Sequence, residues 1–154
     1  MEQLNTIINE TIKLQKKYYN AKQQYTDAYF LEEEINKKAI AEYNKQYNTQ
    51  IKSAFEIARD ENKFFDYEYI VQKEFKKIGI YNPINKVYHS DFAKEFVNAR
   101  KEYITSGLEI LKLNNHEKEY NELKIFIHKG ISEIYLLKLI EIIDNMLKQL
   151  QKQQ

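Results

Sequence analysis

The sequence predicts an all-α protein: a helical bundle of about four to six helices with a long N-terminal helix or helical hairpin. Residues 1–78 contain no glycine or proline, apolar residues recur at helical spacing, and no strand-like alternation extends beyond a few residues. The length of 154 residues suits one domain. We therefore expect a single domain over residues 1–154, with a helical arm at 1–78, a connector at 79–89 and a helical body at 90–150.

A narrow stripe of mainly apolar residues marks the arm as an amphipathic helix. Seven residues fall within about 40° of one line on a helical wheel, namely Leu4, Ile7, Thr11, Leu14, Tyr18, Tyr25 and Tyr29. After a polar gap the stripe returns with Ile40, Tyr43 and Tyr47. If the whole arm at 1–78 were one continuous helix, it would measure about 115 Å, whereas a compact domain of the size of this chain is about 40 Å across. Either the arm turns back, near residues 44–49 or 60–62, or it protrudes as a rod; we favour at least one turn.

The connector and the helical body follow from turn and capping signals. Gly79 and Pro83, the only proline, mark the connector, and Ser90 is expected to begin a helix. Ser106 and Glu109 match a capping box, which predicts that a new helix starts there. A further joint is expected at residues 113–116.

Residues 125–147 form the most aliphatic stretch of the chain. Six ionisable residues within this stretch argue against a membrane span: His128, Lys129, Glu133, Lys138, Glu141 and Asp144. The polar face changes side near Gly130, so either a helix ends there or one helix continues and is buried on different sides. Both interpretations place the same five residues in a core, namely Ile131, Ile134, Leu137, Ile140 and Leu147.

Catalytic and metal-binding patterns are scarce. The chain has no cysteine, which excludes disulfides, thiolate metal sites and a cysteine nucleophile. No carboxylate precedes His89, His116 or His128 by three residues, and Tyr120 stands where a zinc-protease helix beginning at His116 would need its second histidine. The serines lack the surroundings of known nucleophiles. We therefore predict a protein that is not an enzyme, with no catalytic residue, no metal site and no cofactor.

The charge pattern bears on partners and location. The 24 basic residues balance the 23 acidic ones, and only Arg59 and Arg100 are arginine. Lysines that are scattered along a chain with little arginine disfavour nucleic acid as a partner, although folding can gather lysines into one stripe. A lysine-dependent nucleic-acid-binding accessory protein is therefore the alternative function. The first twenty residues lack the apolar core of a signal peptide, so a cytoplasmic location is expected.

The tyrosines of the stripe suggest the function. They occupy positions where a dry core usually takes leucine, and a buried tyrosine needs a partner for its hydroxyl group, as at interfaces with a wet edge. The alternative is that tyrosine fills core positions because of an A+T-rich codon bias. The expected function is protein–protein interaction or assembly by helix–helix packing, with another protein or as a homo-oligomer. The predicted binding residues are Leu14, Tyr18, Tyr25, Tyr29, Tyr43 and Tyr47.

Overall fold

The fold is all-α, as predicted. The structure is a computed structural model that describes residues 2–57, 61–114, 120–121 and 133–153. These residues form five helices and no strand. The helices are α1 (Glu2–Tyr47), α2 (Ala54–Ile57), α3 (Glu61–Lys77), α4 (Ser90–Leu113) and α5 (Glu133–Lys152). The predictions on Gly130 and Ile131 lie outside the described residues.

α1 is the long N-terminal helix that the absence of glycine and proline predicts. It ends at Tyr47, and Asn48 follows in the left-handed region with a φ of 52°. The side chain of Asn44 secures the turn: its Oδ1 accepts a hydrogen bond from the Ile51 amide at 3.0 Å, and its Nδ2 donates to the Ile51 carbonyl at 2.8 Å. The predicted turn near residues 44–49 is therefore confirmed, because an asparagine tolerates the local backbone and replaces the missing helical partners.

The chain forms two compact units, of which the first contains residues 1–23 and 94–154. Its core joins the first half of α1 to α4 and α5 through buried aliphatic and aromatic side chains. Gly107 lies in the interior of α4, where an added β-carbon would meet Ile143 of α5 at 2.6 Å. The predicted helix start at Ser106 is therefore wrong, since α4 runs without a break from Ser90 to Leu113. Glycine is present there because the two helices approach closely.

The buried face of α5 is narrower than the sequence suggests. Ile140 and Leu147 are buried, as predicted. Ile134 and Leu137 were expected in the core, but they are 64% and 51% exposed. The side of α5 that packs in the unit contains Ile140, Ile143 and Leu147. Residues 134 and 137 point away from that side on the helical wheel, which is why they are exposed.

The second unit contains residues 24–93, and it is a helical hairpin. The second half of α1 packs against α2 and α3 around Tyr43, Tyr67 and Phe75. The Tyr67 hydroxyl donates a hydrogen bond to Asn36 Oδ1 at 2.9 Å, so the ring is buried with its polar end satisfied. The hairpin confirms that the arm turns back.

Gly79 ends α3 and opens the predicted connector. Its φ of +78° is in the region that glycine adopts at no steric cost. The Ile80 amide donates to the Phe75 carbonyl at 3.0 Å, and the Gly79 amide donates to the Lys76 carbonyl at 3.0 Å. These bonds satisfy carbonyl groups that the helix end would leave unpaired.

No helix among the described residues has the length and hydrophobicity that a bilayer span requires.

Candidate interaction surface

Two of the six predicted binding residues, Leu14 and Tyr18, belong to the first unit. Leu14 is half-buried and packs against the core of that unit. Tyr18 is fully buried, and its ring stacks against the rings of Phe96 and Tyr103, with both centroid distances at 5.7 Å. Burial raises the pKa of Tyr18, because a phenolate loses its hydration there. The Tyr18 ring is thus an internal packing element of the folded chain.

Tyr25 and Tyr29 lie together in the second unit beside His89. Their ring centroids are 6.5 Å apart, and the His89 ring lies 5.8 Å from Tyr25 and 5.3 Å from Tyr29. Tyr25 is half-buried, whereas Tyr29 is 40% exposed. The nearby carboxylate of Glu33 raises the pKa of Tyr29, because a phenolate beside it would be repelled.

Tyr43 and Tyr47 form a second aromatic pair in this unit, with ring centroids 4.6 Å apart. Tyr43 is fully buried against Tyr67, and Tyr47 is 40% exposed. A hydrogen bond to the Asp66 carboxylate raises the pKa of Tyr47. The structure thus leaves Tyr29 and Tyr47 accessible, while Tyr18 and Tyr43 pack within the chain. An interface role for the six residues stays a prediction.

A polar cluster around Asp144 ties α1, α4 and α5 together in the first unit. The Asp144 carboxylate accepts hydrogen bonds from the hydroxyl groups of Tyr19 and Tyr103 and from Gln15 Nε2, the last at 3.0 Å. Gln15 Nε2 also lies 3.1 Å from the Tyr103 hydroxyl oxygen. Burial and the hydrogen bond to Asp144 raise the pKa values of Tyr19 and Tyr103. Both phenols therefore stay protonated donors, which gives the cluster a structural role.

Two carboxylates, Glu32 of α1 and Glu68 of α3, anchor the connector within the second unit. The Glu32 carboxylate accepts a hydrogen bond from the Tyr88 amide, and its other oxygen contacts His89 Nδ1. Glu68 accepts from the Asn85 amide at 3.3 Å. Burial raises the pKa of Glu68 and repulsion from Glu32 adds to this, although the Asn85 hydrogen bond opposes them. No group of three or more acidic or histidine side chains among the described residues is arranged to hold a metal ion.

The outward side of α1 carries a second pattern with alternating spacings of three and four residues. Its six positions are Lys16, Tyr19, Gln23, Thr26, Phe30 and Glu33. The aromatic members are accessible, because Tyr19 is 42% exposed and Phe30 is 57% exposed. Alternating spacing of three and four is the pattern by which two helices pack along a seam. We call these six residues the outward face of α1.

Comparison with protein-family models, with curated proteins and with solved structures finds no match.

The outward face is hard to see in the sequence because the other stripe of α1, much of which turns into the core, is more apolar. The spacing of Tyr19 and Phe30 places them on one helical face, but two aromatic residues among polar ones give only a weak periodicity. Contacts between distant parts of the chain, such as that of Glu32 with His89, had no local signal at all.

Proposed function

We propose that the protein is a non-enzymatic assembly subunit that pairs with a second copy of itself through helix–helix packing along α1. The main support for this function is that Tyr19 and Phe30 are exposed on one face of α1. An exposed aromatic ring loses unfavourable contact with water when a partner covers it. Tyrosine and phenylalanine are also enriched where proteins meet. The outward face contains one tyrosine, Tyr19, whose ring is 42% exposed while its hydroxyl group donates to Asp144.

The order of charges along this face supports a second copy as the partner. In an antiparallel pair centred between Gln23 and Thr26, Tyr19 of one chain would face Phe30 of the other. The same register sets Lys16 opposite Glu33, and two-fold symmetry repeats each contact. A parallel pair would instead set like residues against each other. The outward face is therefore complementary to itself in one orientation, which is what an isologous dimer requires.

Charge reversal tests this register. Lys16→Glu or Glu33→Lys alone creates two like-charge contacts in the dimer, and we expect the dissociation constant to rise roughly tenfold. The double reversal restores opposite charges and should recover the dimer. Light scattering coupled to size-exclusion chromatography at several protein concentrations measures the effect. A failure of the double reversal to recover association would contradict the register.

Aromatic substitution tests the surface itself. Phe30→Ser should dissociate the dimer while far-UV circular dichroism stays helical, because the Phe30 ring is largely exposed. The matched control is Phe65→Ser on α3, since Phe65 has a similar exposure, 54%, but lies on a different helix. Association that is lost equally in both variants would point to unspecific hydrophobic contact. A parent chain that is monomeric at every concentration would refute the proposal.

Salt separates this function from the lysine-dependent alternative. A contact dominated by phosphate weakens steeply between low and moderate salt, whereas aromatic burial does not. Several lysines are paired with carboxylates in the structure, among them Lys17 with Glu102 at 3.1 Å and Lys86 with Asp91 at 2.7 Å. Self-association that persists at moderate salt is the expected result.

A further inference from the structure

A small pocket opens in the second unit between α1, the end of the connector and the first turn of α4. Its volume is about 220 Å³, and it is lined by Gln24, Asp27, Ala28, Leu31, Tyr88 and Phe92. Pockets for drug-sized ligands usually measure about 300–1,000 Å³. The space therefore suits a single side chain or a compact ion. Gln24 and Asp27 are exposed, so they lie at the mouth, whereas Ala28 is 4% exposed and lies deeper.

One wall of the pocket is aromatic. The rings of Tyr88 and Phe92 have centroids 5.5 Å apart and planes inclined at 59°. The Tyr88 ring also packs against the buried ring of Phe75, with centroids 5.1 Å apart, and the Tyr88 amide donates to Glu32. The wall is thus fixed before any ligand arrives, which reduces the entropy lost on binding.

The other groups define the chemistry of the ligand. Asp27 is the charged residue of the lining, and its carboxylate disfavours an anion. Aromatic faces attract cations, and a carboxylate strengthens such a site by a charge-assisted hydrogen bond. Ala28 and Leu31 add aliphatic surface that suits a hydrocarbon chain. The combination matches an ammonium group on an aliphatic stem.

We propose that this pocket binds the ammonium group of a lysine side chain supplied by a partner protein. A lysine stem covers apolar surface while its charged end reaches a polar group. On a helical wheel Gln24, Ala28 and Leu31 point away from the outward face of α1, whereas Asp27 lies at the edge between the two, three residues before Phe30. Phe92 lies on α4, so Phe92→Leu changes the pocket without changing the outward face, and loss of the lysine contact can be distinguished from loss of self-association.

The test titrates the full chain with Nα-acetyl-lysine amide and follows backbone amide shifts by two-dimensional nuclear magnetic resonance. Saturable shifts at residues 24–31 and 88–92 are expected at millimolar concentrations. The neutral analogue Nα-acetyl-norleucine amide has the same stem without the charge, and it should bind about 3- to 5-fold more weakly. Equal binding of the two compounds would overturn the proposal. If n-pentylammonium bound clearly more tightly than Nα-acetyl-lysine amide, the pocket would be a site for a free amine, and the proposed lysine of a partner protein would be wrong.

Two variants assign the effect to the pocket. Asp27→Asn and Phe92→Leu should each weaken binding about 3- to 5-fold, by loss of the carboxylate or of one aromatic face. The matched control is Glu34→Gln, which removes the same charge from an exposed position of α1 outside the pocket. Because Asp27 is exposed, its replacement tests the site without endangering the fold. Binding that survives Asp27→Asn, or falls equally in Glu34→Gln, would contradict the site.

Discussion

Replacing Gly107 by alanine tests the close approach of α4 and α5. An added β-carbon would lie 2.6 Å from Cγ2 of Ile143, 2.7 Å from Cδ1 and 2.8 Å from Cγ1. Ile143 is fully buried and branched at its β-carbon, so one rotation of its side chain cannot clear all three atoms. Either α5 moves outward or the Ile143 side chain leaves its preferred rotamer.

Two opposing effects set the magnitude. At an open helical position, glycine to alanine stabilises a protein by about 1 kcal/mol. Overpacking of a filled core costs about 1–3 kcal/mol. We therefore expect the free energy of unfolding to fall by up to about 2 kcal/mol, measured by urea unfolding with far-UV circular dichroism. The control is Asn98→Ala at an exposed position of α4, which should raise it by about 0.5 kcal/mol.

A double-mutant cycle makes the test specific to this contact. Ile143→Ala alone should cost about 2–5 kcal/mol by leaving a cavity. In the Gly107→Ala background the same change should cost about 1–2 kcal/mol less, because the new methyl group fills part of that cavity. Additive effects, or a Gly107→Ala variant more stable than the parent, would refute the close approach.

Two further predictions concern the polar clusters. Tyr103→Phe should lower the free energy of unfolding by about 1–2 kcal/mol, because it removes a buried hydroxyl that donates to Asp144. Tyr19→Phe removes an exposed donor to the same carboxylate and should lower it by less. Equal losses of stability in urea unfolding would contradict this role of burial. Glu68→Gln should stabilise the protein at pH 7, with a difference that disappears as the pH falls below the ordinary pKa of a glutamate. The sign follows from the raised pKa of Glu68: the native state holds this proton more tightly than the unfolded state, so the parent loses stability as the pH rises through that range. Urea unfolding at pH 4 and pH 7 measures it, with Glu95→Gln at an exposed position as control, and a benefit that is independent of pH would argue against buried charge as the cause.

Several elements were predictable because their causes are local. A run of 78 residues without glycine or proline allows a long helix, and Asn44 with its polar neighbours provides the turn that ends it. Gly79 likewise ends α3 through its own backbone conformation. Such features depend on residues a few positions apart, which a sequence displays directly.

Other features depended on partners far along the chain. The capping pattern at Ser106 and Glu109 was a valid local signal, but the packing of Gly107 against Ile143 kept α4 continuous. Ile134 was apolar and periodic, yet it lies outside the packed side of α5. For the candidate surfaces, the sequence contained Tyr19, Phe30 and Asp27, but nothing local distinguished them from core or solvent positions.

The sequence by itself determined that this chain is helical, where its first long helix turns back, and that a cysteine-based site is absent. Tertiary structure alone decided which side of each helix is buried, because burial depends on the surfaces that neighbouring helices present. It turned Tyr18 and Tyr43 inward, left the rings of Tyr19 and Phe30 partly exposed, and brought Tyr88 and Phe92 beside Asp27. Helical periodicity gives the angle between side chains, whereas only packing decides which angle faces the core.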